Sequence, residues 1–119
     1  MAIKRYAASA DTTITNAYKQ DLSTRGTGSN MGAADVLEVF SIYGQASASS
    51  GLSQELSRVL LKFPVSDISA DRTAGTIPVS GNVSFYLRLF NAEHSETIPR
   101  NFALTAAAVT KDWEEGTGL

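Results

Sequence analysis

The side chains able to do chemistry are few and lie in short groups. Asp112, Glu114 and Glu115 surround Trp113, with Glu93 and Glu96 in an earlier polar stretch. Two carboxylates beside an aromatic ring are the equipment of glycoside hydrolysis, one acting as acid and the other as base or nucleophile. That chemistry needs them on opposed sides of a sugar, which spacing along a chain does not supply, so the group reads as a solvated acidic turn with Trp113 on a rim. His94 is the one histidine and sits between Glu93 and Glu96. A Ser-His-Asp triad would have to use it, yet no Gly-x-Ser-x-Gly elbow is present, so it reads as a surface residue. Asp11, Asp21, Asp35 and Asp71 offer oxygen donors for calcium, but no Asp-x-Asp-x-Asp-Gly run gathers them. Gly26-Thr27-Gly28 lacks the lysine of a phosphate loop. The chain has no cysteine, which removes thiol catalysis, zinc-thiolate sites and a disulfide framework. We expect no enzyme: no catalytic residue, no cofactor and no metal.

Composition narrows the partners. The chain has 119 residues, 43% of them hydrophobic and 18% charged, enough for one domain with one core. A net charge of -2 with scattered Lys and Arg gives no positive field, so direct nucleic-acid binding is not expected. No apolar run approaches the ~20 residues of a membrane helix, and Met1-Ala2-Ile3-Lys4-Arg5-Tyr6 is too poor in apolar residues for a signal sequence. The expected setting is therefore an aqueous cytoplasm, or release by lysis, with no membrane.

The elements that must carry these residues read as strands. In residues 57–63, Val59, Leu61 and Phe63 alternate with Arg58, Leu60 and Lys62, as in a central strand with one face on a core. Pro64 ends the pairing there, and the chain turns outward toward Asp67. Residues 3–8 suggest an edge strand guarded by Lys4 and Arg5, and residues 10–16 a short strand rich in threonine. Residues 19–34 have loop composition, as do 69–78, 80–82 and 91–99. Residues 36–43 predict a second strong strand, 45–51 a Ser/Ala connection, and 52–56 one helical turn. Residues 83–90 predict a third, with Val83, Phe85, Leu87 and Leu89 as a core row. Residues 102–110 read as a further strand despite their alanines. The sum is an all-β protein, an antiparallel β-sandwich or jelly roll with long polar loops, in one domain over residues 1–119.

Several of these short pieces, taken in order, resemble the DNRLRE-type jelly-roll domains. They are Ala10-Asp11-Thr12-Thr13-Ile14, Asn30-Met31-Gly32 with Leu37-Glu38-Val39, Arg58 to Phe63 with Asp67-Ile68, and Trp113-Glu114-Glu115-Gly116-Thr117. Met31 stands where the family usually has an aromatic residue. The family normally continues with further strands after the Trp-Glu-Glu-Gly turn, so C-terminal strands are expected to be lacking, or supplied by a neighbour as in donor-strand pairing. The resemblance implies a non-enzymatic structural protein of a tailed bacteriophage particle, in capsid decoration, collar, tail or fibre attachment. Its partners would be other copies of itself and other virion proteins, and its location the virion. Phe40, Ile42, Tyr86 and Phe90, on the strand faces away from the core rows, are candidate subunit contacts, joined by the charged Arg58 and Lys62. The alternative is a carbohydrate-binding module with Tyr86 and Trp113 as its glycan platform.

Overall fold

A computed structural model describes residues 3–42, 54–81, 83–95 and 100–118. Its regular elements are β1 (Ala10–Thr15), β2 (Ser41–Ile42), β3 (Glu55–Lys62) and the helix α1 (Val65–Thr73). The strands form one antiparallel sheet in the order β1-β3-β2. β3 is central, and its pairing stops at Lys62, two residues before Pro64. Thr13 lies opposite Val59 and Ile14 opposite Arg58. Directly opposed residues share a face. One face therefore carries Thr13, Ser57, Val59 and Leu61, and the other carries Thr12, Ile14, Leu56, Arg58 and Leu60.

The first face is covered by residues 36–40 through hydroxyl groups. Glu38 N–H donates to Thr13 Oγ1 (3.0 Å) and Phe40 N–H to Ser57 Oγ (2.7 Å), while the Ser57 hydroxyl donates to the Glu38 carbonyl (2.8 Å). The strong strand expected over 36–43 is thereby reduced to β2, because these amides bond side chains instead of a ladder. Tyr43 and the connection 45–51 lie outside the described residues. So do Leu52 and Ser53 of the expected helical turn, and its last two residues, Glu55 and Leu56, belong to β3.

The chain after Pro64 is a helix where a turn and loop were expected. Asp67 in the first turn and Arg72 in the last complement the helix dipole. At its end Gly75 takes a left-handed φ of 76°. Gly75 N–H donates to the Arg72 carbonyl (3.2 Å) and Thr76 N–H to that of Asp71 (2.9 Å), the paired bonds of a Schellman cap. The N-terminal residues 3–8 form no strand and run beside this helix. Tyr6 Oη donates to Asp71 Oδ2 (2.6 Å), and Lys4 Nζ lies 3.1 Å from the same oxygen. Lys4 thus meets an internal carboxylate instead of guarding a sheet edge.

The largest departure lies between residues 83 and 110. Neither 83–90 nor 102–110 is a strand, and the row expected to be core is open: Phe85 is 71% exposed, with Leu87, Leu89, Phe102 and Leu104 exposed too. Among the described residues, 83–95 and 100–111 make no hydrogen bond. A sandwich is therefore not formed by the described residues, which show a small antiparallel sheet, one short helix and, in residues 83–95 and 100–111, an arm without regular structure. The dimensions agree. The radius of gyration is 18.4 Å, where a compact chain of this length has about 13.5 Å. The surface is 10164 Å² for 12.6 kDa, about 4000 Å² above the value typical of a folded monomer.

Candidate functional site

The acidic turn is joined to the body of the protein at several points. Glu115 Oε1 accepts the Asp11 N–H of β1 (2.7 Å), meeting an amide on the sheet edge. Asp112 Oδ1 accepts from Lys62 Nζ (3.1 Å) and from Trp113 N–H (3.0 Å), which hold its carboxyl below the usual carboxylate range, the lysine bond contributing most. Asn30 Oδ1 accepts from Gly118 N–H (2.6 Å) and Gly32 N–H (3.3 Å), and Ala33 N–H donates to the Gly118 carbonyl (2.8 Å). The fit is close enough to need glycine: a Cβ on Gly32 would collide with the Glu115 and Gly116 carbonyls, and one on Gly116, at φ 81°, with the Asn30 side chain. The Asn30-Met31-Gly32 and Trp113-Glu114-Glu115-Gly116 turns therefore lie face to face. Two of the three carboxylates in the acidic turn are spent on internal bonds.

The other candidates are dispersed. Glu93 and His94 are exposed on the arm, and Glu96 lies outside the described residues. Asp21 caps its own turn, and the Thr24 and then the Ser23 amides lower its carboxyl to about 2. That turn closes residues 17–26 into a hairpin in which Tyr18 and Arg25 pair and the guanidinium stacks 3.7 Å from the ring centroid. The loop expected over 19–34 thus begins as an ordered hairpin. Asp71 is engaged with Tyr6 and Lys4, which lower its pKa, the tyrosine bond being the larger cause. Among the described residues no three His, Asp or Glu side chains gather as a metal site would require.

The residues named for subunit contact divide into two sets. Phe40 and Ile42 are half-buried beside β3, whereas Arg58 and Lys62 are exposed on the second sheet face. Tyr86 (88% exposed) and Phe90 (79%) stand on the arm, with Arg88 over the Phe90 ring at 4.8 Å. Trp113 is half-buried where the chain has returned to the sheet, so the two aromatic residues named as a glycan platform belong to different parts of the molecule. On the second sheet face Ile14, Leu56 and Arg58 line a shallow depression with Thr15 and Asn16, and Ile14 is 45% exposed. Sequence periodicity identified the arm's apolar row but not this depression, whose face was marked in the sequence by Leu60 between Arg58 and Lys62. No described helix is long and apolar enough to cross a membrane. Comparison with family models, curated proteins and solved structures finds no match to this chain.

Proposed function

We propose that this chain is a non-enzymatic structural component of a tailed bacteriophage particle, resembling the DNRLRE-type jelly rolls and working through subunit contacts. The supporting observation is the arm: two segments patterned as strands lie exposed, and the sheet's second face is open at Ile14. Burying Phe85, Leu87 and Leu89 contributes roughly 1.5–3 kcal/mol each, a gain left unrealised in the isolated chain. A protein present in many copies gains it on assembly, and the jelly roll is then completed between chains and not within one. Its setting is the virion, assembled in a host cytoplasm, with other virion proteins as further partners. The meeting of the Asn30 and Trp113 turns is a second support, since both belong to the motifs that carry the resemblance. Proteomic analysis of purified particles encoded with this sequence tests the proposal. The chain is expected at many copies per particle, and its absence from particles would overturn the assignment.

The exposure of Tyr86 favours a second reading, a carbohydrate-binding module. It requires glycan binding by the isolated chain that is lost in Trp113→Ala; the leading reading expects no such binding.

A further inference from the structure

Both ends of the arm are fixed to their own body. Arg72 Nη2 donates to the Val79 carbonyl (2.6 Å) at its start, and Lys62 holds Asp112 at its end. Between these anchors the chain carries an apolar row with unpaired backbone, and the sheet's second face is open at Ile14, with Leu56 half-buried beside it in the same depression. An exposed apolar row and an open apolar patch that could bury it are thus both present on the same polypeptide. The lengths match as well, since 83–90 spans eight residues and β3 has 8. A further segment or an unrelated protein would have to satisfy both needs separately, whereas a second copy satisfies them together, as in domain exchange. The surplus surface of about 4000 Å² per chain is ample for a permanent interface, which buries roughly 2000–5000 Å² in all.

We infer that two copies exchange arms, the apolar row of residues 83–90 of each lying with Phe85 and Leu87 on the Ile14–Leu56 depression of the other. The inference rests on the subunit-contact reading above and adds which segment is exchanged and where it lands. Complementation tests it. Phe85→Asp/Leu87→Asp removes the donor and Ile14→Asp/Leu56→Asp the acceptor, so each variant alone is expected to be a monomer by light scattering. Mixed in equal amounts they should form a one-to-one heterodimer through the single intact pair. The donor variant changes exposed residues only, and retained amide protection in β3 checks its fold. If the acceptor variant unfolds, the cysteine-free chain offers a second route. An oxidised mixture of Leu87→Cys and Leu56→Cys chains should yield a cross-linked heterodimer. A monomeric parent overturns both the exchange and the contact reading. An oligomeric parent indifferent to the donor change, or the absence of any cross-link, overturns the exchange alone.

Discussion

Tyr6 and Asp71 report one contact from its two sides. The hydrogen bond to Asp71 raises the Tyr6 phenol from 10.0 to about 12, and the same bond lowers the Asp71 carboxyl. The signs differ. The tyrosine contribution is complete below its ordinary value of about 10 and is lost as pH rises through about 12. The aspartate contribution is complete above about 3.9 and is lost as pH falls through its lowered value. Ultraviolet titration should therefore show one phenol ionising near pH 12 that is missing from Tyr6→Phe; its persistence in the variant would contradict the contact. Thr12 gives a second test, because its hydroxyl is buried and meets no partner among the described residues. Thr12→Val should leave the thermal midpoint unchanged or raise it by the equivalent of about 1 kcal/mol. Gly32→Ala should cost about 1–3 kcal/mol in chemical denaturation, since the Glu115 carbonyl occupies the space. The sequence showed Asn30, Gly32 and Gly116 as turn residues. It did not show that they meet, because the Asn30–Gly118 bond spans 88 residues and no local pattern encodes such a pairing.

At the scale of elements, β1 and β3 were legible because their alternation and Pro64 act locally. Helix α1 was missed for a physical reason: none of its residues is buried, so it lacks the apolar stripe by which a helix is read. Its signals were at the ends, Pro64 before it and Gly75 after it. Gly75→Ala should therefore cost about 1 kcal/mol through the left-handed φ alone, readable as a lower thermal midpoint. The arm is the opposite case. Its period-2 row was legible, but periodicity states only that a face needs burial and not which chain buries it. Amides of 83–90 should exchange slowly at concentrations where the chain assembles and rapidly on dilution, while those of β3 stay protected at both.

For the whole molecule, surface area and shape speak together. Among the described residues no side chain is fully buried, and the sheet alone is a small core for 119 residues. The carboxylate and hydroxyl bonds of Glu115, Thr13 and Ser57 order the body without supplying much apolar burial. Stability should then rise with protein concentration, as it does where a partner binds the folded chain and not the unfolded one. The molar mass of the chain in dilute buffer, measured by light scattering across a concentration series, is the most direct test. We expect a discrete multimer whose residues 83–90 lose amide protection as it dissociates while β3 keeps its own. A monomer of 12.6 kDa with a cooperative, concentration-independent melt would contradict the claim that other copies complete this fold.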